Sequence, residues 1–173
     1  MTSNFIRMII LGLLATTIGS RASALDKNLP AGWRLPSTSE LNAGWRPNRD
    51  ERGAIANGDF NGDGFPDEAV LLLSLDGTKL GLFVFLSQRQ KPFKIHQLAN
   101  VDGSLLEVMG IAKVPAGTYH TACGKGYWEC RKNEASTVPV DTDAIDYFKF
   151  ESASSYFYWD RRKKTFRRVW ISD

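Results

Sequence analysis

Histidine and cysteine are scarce in this sequence, with two of each among 173 residues. Zinc sites draw most of their ligands from these side chains, and neither His96 nor His120 has a second ligand at the spacing that such sites use. The G-x-S-x-G, H-E-x-x-H and glycine-rich phosphate-loop motifs are absent as well. These absences argue against zinc chemistry and against the enzyme classes that the motifs mark, so the sequence favours a non-enzymatic function.

Long apolar runs are missing after the first 24 residues, and no later stretch is long enough to span a membrane as a helix. Those 24 residues contain Arg7, an apolar run and the small-residue sequence Ala22-Ser23-Ala24, which together are typical of a secretory signal peptide. We expect cleavage before Leu25. Residues 25–173 then form a single periplasmic or secreted domain with no membrane span.

An excess of charge of one sign is missing too. Residues 25–173 hold 20 of the 22 basic residues and all 19 acidic ones, which leaves a formal charge of +1. A near-neutral chain lacks the basic footprint that phosphate-rich partners attract. We therefore expect neither nucleic acid nor an anionic membrane as the partner.

The two cysteines, Cys123 and Cys130, both lie in the part of the chain that we expect to be exported. An oxidising compartment favours a disulfide between them. Six residues separate them, whereas redox-active pairs are typically separated by two. The spacing predicts a structural disulfide, and closing so short a loop stabilises the fold by about 2–3 kcal/mol.

Long amphipathic helical patterns are also missing, and from residue 53 onward short apolar runs alternate with clusters of turn residues. This pattern predicts a mainly β fold, which is an antiparallel meander, a sandwich or a small barrel. The clearest strands are 68–74 and 79–87, with Asp76-Gly77 as a hairpin turn. Both runs are almost continuously apolar, which indicates burial on both faces. Further strands are predicted at 93–98, 105–114, 144–150, 155–159 and 165–171.

One short helix is expected near the start of residues 25–173. Ser37 and Glu40 form the capping-box pattern S-x-x-E just after a proline, and Leu41 supplies an apolar anchor. The pattern predicts a short N-terminal helix that extends to about Ala43.

Residues 59–67 place oxygen-bearing side chains at alternate positions around a glycine turn. Side chains at positions 1, 3, 5 and 9 of such a loop, with the carbonyl at position 7, can converge on one calcium ion. The glycine at position 6 is Gly64, and the flanks have strand character. Position 12 is Val70, where calcium-binding helix-loop-helix motifs have a bidentate glutamate. The predicted ligands are the side chains of Asp59, Asn61, Asp63 and Asp67 and the carbonyl of Phe65.

A metal-free loop is the alternative interpretation of these residues, because Asx turns can hold such a loop by hydrogen bonds alone. Against it, three carboxylates within nine residues repel one another when no cation lies between them. A second acidic group, Asp141, Asp143 and Asp146, lacks the glycine of a sharp turn. We interpret it as a solvated turn in preference to a second calcium site.

The sequence GDFNGDGFPDEAVLL at this loop resembles the calcium-binding loops of FG-GAP and VCBS-type repeats, which integrin α-subunit propellers and many secreted bacterial proteins carry. The resemblance covers residues 55–73 and occurs once, whereas a propeller needs several blades. It implies the same five calcium ligands and a structural role for the ion. The affinity expected for an extracellular site of this kind is about 10⁻⁴ to 10⁻³ M.

The last predicted hairpin is rich in aromatic residues. Alternation along its first strand puts Phe157 and Trp159 on one face and Tyr156 and Tyr158 on the other. One interpretation is an aromatic edge of the core with a solvated basic turn. The other is a recognition surface, since tyrosine and arginine are good interface anchors. Its candidate binding residues are Tyr156, Tyr158, Arg161 and Arg162.

These patterns together predict an exported, non-enzymatic binding domain that one calcium ion and one disulfide rigidify. A protein partner in the bacterial envelope is favoured, for example a cell-wall hydrolase that this chain inhibits or confers immunity against. Two alternatives stay open. One is a carbohydrate- or peptidoglycan-binding module that uses the terminal aromatic residues, and the other is a secreted hydrolase whose site carries no recognised motif.

Overall fold

Two antiparallel sheets pack face to face in the computed structural model, which describes residues 25, 27–89 and 91–173. The expected signal peptide, residues 1–24, lies outside these residues. The first sheet contains β1 (Trp33–Arg34), β2 (Ile55–Gly58), β3 (Asp67–Ser74), β4 (Lys79–Gln88) and β5 (Lys91–Asp102). The second contains β6 (Met109–Val114), β9 (Ala144–Lys149), β10 (Ser154–Asp160) and β11 (Thr165–Ser172). A two-stranded sheet is formed by β7 (Gly117–His120) and β8 (Thr137–Val140).

Sheet order places β3 and β4 in the middle of the first sheet. The order is β1-β3-β4-β5, with β2 pairing beside β1 along the same edge of β3, and the second sheet runs β11-β10-β9-β6. Within residues 27–89 and 91–173, the helical segments are short 3₁₀ turns: Arg46–Asn48, Asp50–Gly53, Gly103–Glu107 and Cys123–Lys125. None of the helices in this part of the chain is long and apolar enough to cross a lipid bilayer. The predicted mainly β, antiparallel fold is confirmed, and its form is the sandwich.

The β3–β4 hairpin follows the sequence prediction closely. Its strands end at Ser74 and resume at Lys79, and Leu71 pairs with Leu82 across the two strands. Gly77 in the turn has a φ of 72°, in the left-handed region that glycine reaches without steric cost. The local turn signal therefore sets the register of the central strands.

Both faces of this hairpin are covered, as the continuous apolar runs predict. One face meets the second sheet in the main core, where Leu71 and Leu82 pack against Ile111 and Ile145. The opposite face, which includes Leu72 and Phe85, is covered by residues that precede β2. These covering residues include Leu25, Leu29, Trp33 and Leu35.

The outer face of the second sheet is covered by the β7–β8 hairpin. Val138 and Val140 of β8 form a small apolar cluster with Val114 and Ala144. The sequence pattern does not predict β7 and β8. They are four residues each, and Pro139 lies inside β8, where a proline normally argues against a strand. This pair exists because a buried sheet face needs an apolar cover.

The predicted helix from Ser37 to Ala43 is wrong. The capping-box contacts do form, with the Ser37 N–H donating to Glu40 Oε2 at 2.8 Å. However, the chain makes a single turn over residues 38–41 and no helix follows. The Glu40 carboxylate is held by Arg34 of β1 through two hydrogen bonds of 2.8 Å, and Trp45 stacks on Phe150 with ring centroids 5.0 Å apart. These tertiary contacts stabilise the observed conformation of the chain, and they take the place of the further helical turns that the pattern predicts.

The strand predicted at 105–114 begins later than the sequence indicates. The 3₁₀ turn Gly103–Glu107 occupies its first part, and β6 starts at Met109. Asp102 caps the turn, since its Oδ1 accepts the Ser104 N–H at 2.9 Å. The remaining predicted strands match β5, β9, β10 and β11 with ends that differ by a few residues.

Candidate functional site

The 59–67 loop connects β2 to β3, as expected from the strand character of its flanks. Gly58 pairs with Asp67 where the two strands meet, so the loop closes tightly between antiparallel neighbours. Gly62 and Gly64 have φ values of 73° and 85°. A side chain at either position would be strained, which explains why this turn contains two glycines.

The carboxylate of Asp59 organises the loop by accepting backbone hydrogen bonds. Its Oδ1 accepts the N–H groups of Gly62 at 2.8 Å and Asp63 at 3.1 Å, and its Oδ2 accepts that of Gly64 at 2.9 Å. Asn61 donates through Nδ2 to Asp63 Oδ2 at 2.9 Å. These bonds are the Asx-type contacts that the metal-free interpretation describes.

Asp67 is the buried member of the loop. Its side chain is fully buried, and its two oxygens accept the N–H groups of Phe60 and Ser87, each at 2.9 Å. No lysine, arginine or histidine among the described residues forms an ion pair with it. Burial, with a further contribution from the charge of Asp63, raises the pKa of Asp67 to about 6. Asp67 is thus a carboxylate without a cation partner in this part of the chain.

Calcium fits this loop by donor chemistry. The predicted ligands are carboxylate, amide and carbonyl oxygens, the donors that calcium prefers, and a carboxylate that accepts two or three N–H bonds keeps lone pairs free. The arrangement itself is that of a hydrogen-bonded loop. Within the described residues, no three histidine, cysteine or acidic side chains are grouped closely enough to hold one metal ion.

Two other connections of the sandwich pack against the 59–67 loop. Asp143 Oδ2 accepts the Asp59 N–H at 3.1 Å, and Thr142 Oγ1 donates to the Phe60 carbonyl at 3.0 Å. A Cβ at Gly62 would lie 2.6 Å from Thr142 Cγ2 and 3.0 Å from the Arg161 guanidinium. The turn before β9 and the turn between β10 and β11 therefore meet the loop at one end of the molecule.

The second acidic group does not form one cluster. Asp143 lies at the loop, whereas the largely buried Asp146 accepts a hydrogen bond of 2.6 Å from Ser154 Oγ. Burial raises the pKa of Asp146, because it disfavours the charged form. These residues are close together in the chain, but Asp143 lies in the turn before β9 and Asp146 lies within β9, so their surroundings differ.

Tyr156 and Tyr158 lie on the outer face of the second sheet, opposite the buried Phe157, as the alternation predicts. They are half-buried and pack on the apolar cluster under the β7–β8 hairpin, and Tyr156 meets Tyr119 edge to face at 5.1 Å. Arg161 and Arg162 are exposed in the turn that follows. This placement agrees with the interpretation of an aromatic core edge with a solvated basic turn.

Exposed aromatic residues lie instead beside the disulfide. The predicted bond between Cys123 and Cys130 is confirmed, and it closes the 123–130 loop. Tyr127 in this loop is 53% exposed and Trp170 of β11 is 40% exposed. Next to them is a cleft of about 540 Å³, which we call the indole cleft. It is lined by Trp128, Glu129, Arg131, Asn133, Glu134 and Trp170.

Sequence reasoning missed the indole cleft. The dipeptide Tyr127-Trp128 inside a short disulfide loop was a usable signal, since a constrained loop leaves little room to bury two large aromatic side chains. No such signal marks Trp170, because it lies more than forty positions after Trp128 and its local sequence is that of an ordinary strand.

Known proteins offer no guide to this site, since no protein-family model, curated protein or solved structure matches the chain. The resemblance of the 59–67 loop to FG-GAP and VCBS-type loops therefore stays a prediction.

We expect Asp67 to make the calcium-free protein less stable as the pH rises from 4 to 7. Its folded pKa of about 6 lies above the ordinary aspartate pKa of 3.8, so the folded state binds more protons than the unfolded state between these values. The contribution of Asp67 to the free energy of unfolding is fully present below its unfolded pKa, and it is lost as the pH rises through its folded pKa. One pKa unit is worth about 1.4 kcal/mol, so the loss is about 3 kcal/mol.

Urea unfolding in calcium-free buffer at several pH values measures this effect. The Asp67→Asn variant cannot ionise at this position, so its unfolding free energy should lack this part of the pH dependence and its difference from wild type should change between pH 4 and pH 7. Equal pH slopes for the two proteins would show that Asp67 titrates normally.

Proposed function

We propose that this chain is an exported, non-enzymatic binding domain in which one calcium ion stabilises the 59–67 loop. The observation that carries the calcium proposal is the fully buried carboxylate of Asp67, which has no basic partner among the described residues. A buried charge without a partner is costly, and a bound cation offsets that cost. The ligands would be Asp59, Asn61, Asp63, Asp67 and the Phe65 carbonyl, and the ion would hold the loop rigid.

The ring contacts of His96 favour a packing role for this histidine over a role as a general base. His96 packs edge to face on Trp159 and Phe166, with ring centroids 6.1 Å and 5.8 Å apart. Burial, with the nearby charge of Lys94, lowers the pKa of His96. Its surroundings are those of a packing residue between the two sheets.

The disulfide supports the proposed export, because such bonds persist in the periplasm and outside the cell. The proposed partner is a glycan or a protein of the bacterial envelope. An inhibitor or immunity protein against a cell-wall hydrolase would be the protein-binding form of this function. The structural basis is the same in both forms: a rigid sandwich presents side chains on its connecting loops.

Thermal unfolding in EDTA and in calcium tests the proposed ion. With a dissociation constant of about 10⁻⁴ to 10⁻³ M, 10 mM calcium should stabilise the folded protein by about 1–3 kcal/mol. Asp63→Asn should lose this increment because it removes a charged ligand. Asp141→Asn removes the same charge from an exposed position outside the ligand set and should keep the full increment.

Magnesium at the same concentration separates calcium binding from general screening of charge, since magnesium requires a smaller octahedral site. A melting temperature that is the same in EDTA and in 10 mM calcium would rule out the proposed ion.

A further inference from the structure

We infer that the indole cleft is a binding site for a neutral, N-acetylated oligosaccharide. This inference rests on the proposed function as a binding domain, and it names the ligand class and the residues that would contact it. The cleft volume of about 540 Å³ lies within the range of about 300–1,000 Å³ that small-ligand sites occupy.

The two indole rings of the cleft are held in fixed positions. Trp128 Nε1 donates to both carboxylate oxygens of Glu134 at 3.1 Å, and Glu134 also accepts the Arg131 N–H at 3.4 Å. The guanidinium of Arg168 lies 4.2 Å from the centroid of the Trp170 ring. A ligand would therefore lose little free energy in ordering these side chains, which favours binding.

The two walls of the cleft are also joined through the backbone. The Ala122 N–H donates to the Trp170 carbonyl at 2.8 Å, which ties the residue before Cys123 to β11. The disulfide then constrains the chain from Cys123 to Cys130, so Trp128 is held at a short covalent distance from this anchor. The separation of Trp128 and Trp170 is thus set by strand β11 and by one covalent loop.

The polar side chains of the cleft define the hydrogen-bonding character of the ligand. Glu129 and Glu134 only accept hydrogen bonds, Arg131 only donates them and Asn133 does both. A matching ligand must carry donors and acceptors around its rim and an apolar face for the indole rings. Pyranose rings have this combination, because their C–H hydrogens suit the negative face of an aromatic ring.

The charges of the cleft argue against a strongly anionic ligand. Two carboxylates line it with one guanidinium, and the Arg168 guanidinium lies against the Trp170 ring, so the site is close to neutral. An acetamido group offers one N–H donor and one carbonyl acceptor, which suit a glutamate and an arginine respectively. N-acetylated sugars therefore match the cleft better than phosphorylated or highly acidic glycans.

Titration with N-acetylglucosamine trimer, followed by tryptophan fluorescence, tests this inference, and retention on purified peptidoglycan gives a second readout. Trp128→Ala and Trp170→Ala should each weaken binding by about tenfold or more, as expected for an aromatic anchor. Glu134→Gln keeps the shape of the side chain and should also weaken binding. Tyr127→Ala is the matched control, since Tyr127 is an exposed aromatic residue of the same loop that does not line the cleft.

Each variant is first compared with wild type by thermal melting, so that a loss of binding is scored only for folded protein. The inference is overturned if wild type binds neither probe. It is also overturned if Trp128→Ala, Trp170→Ala and Glu134→Gln bind as tightly as the control Tyr127→Ala. If a purified envelope protein binds wild type and Trp170→Ala releases it while neither glycan binds, the cleft is a protein site and the glycan assignment is wrong. None of these results depends on the calcium melting experiment, so the two proposals fail separately.

Discussion

Arg46→Met is expected to lower the free energy of unfolding by about 3–5 kcal/mol, the cost of breaking a buried charged interaction. Arg46 is fully buried, and its guanidinium donates to the carbonyls of Arg52 at 2.9 Å and Met109 at 2.7 Å and also to that of Leu106. The Trp45 ring covers it, with its centroid 4.4 Å from the guanidinium carbon. The interaction links the segment before β2 to the start of the second sheet.

Methionine has a similar volume, so the predicted loss comes from the carbonyls. Three carbonyl groups lose a donor, and each buried unpaired group costs about 1–3 kcal/mol. Burial lowers the pKa of Arg46 to about 10, so the guanidinium still carries its charge at neutral pH. Removing that charge recovers part of its desolvation cost, which keeps the net effect below the sum of the three terms.

Urea unfolding at pH 7 measures the effect. Arg46→Lys should fall between wild type and Arg46→Met, because a compact ammonium lacks the fork geometry that reaches several carbonyls. Arg89→Met makes the same substitution at an exposed position and should change stability by less than about 0.5 kcal/mol. If Arg46→Met and Arg89→Met unfold at the same urea concentration, the buried arginine does not stabilise this fold.

Gly103→Ala is expected to destabilise the protein by about 3 kcal/mol and to lower its melting temperature by roughly 10 °C. A Cβ at Gly103 would lie 2.0 Å from the carbonyl oxygen of Gly77. That oxygen belongs to the backbone of the β3–β4 turn, so it cannot rotate away as a side chain would. The Gly103 N–H also donates to the Thr78 carbonyl at 2.9 Å, which holds the two segments together.

Gly44→Ala is the control for this prediction. Its φ is not in the left-handed region, and a Cβ there would meet no atom within 4 Å. The substitution should leave stability unchanged or raise it slightly, because alanine restricts the unfolded chain. If Gly103→Ala and Gly44→Ala have the same melting temperature, the β3–β4 turn accommodates the added methyl group without loss of stability.

The β3–β4 hairpin shows how much of the fold the sequence predicts. Its turn dipeptide and its apolar runs are local signals, and both strands lie within a residue or two of the predicted ends. The failed helix after Ser37 shows the limit of local signals. Its capping contacts form, but Glu40 binds Arg34 and Trp45 stacks on Phe150. The local sequence pattern does not predict these two tertiary contacts.

For the candidate sites too, local spacing predicts some features and tertiary packing decides the others. Spacing alone placed the turn and the oxygen donors of the 59–67 loop, because all of them lie within nine consecutive positions. Spacing did not indicate that Arg161 lies beside Gly62 or that Ser87 donates to Asp67, since those contacts depend on how β4 and the β10–β11 turn pack. The burial that raises the pKa of Asp67 has the same origin.

By itself the sequence determined the mainly β class, the central hairpin, the position of the 59–67 loop and the pairing of Cys123 with Cys130. Each depends on residues that are close in the chain, where turn geometry and alternation act directly. Only the tertiary structure decided that Tyr156 and Tyr158 pack under a hairpin and that Trp128 and Trp170 share one cleft. The physical reason is that exposure is a property of packing: an aromatic side chain is buried or accessible according to which distant strand covers it.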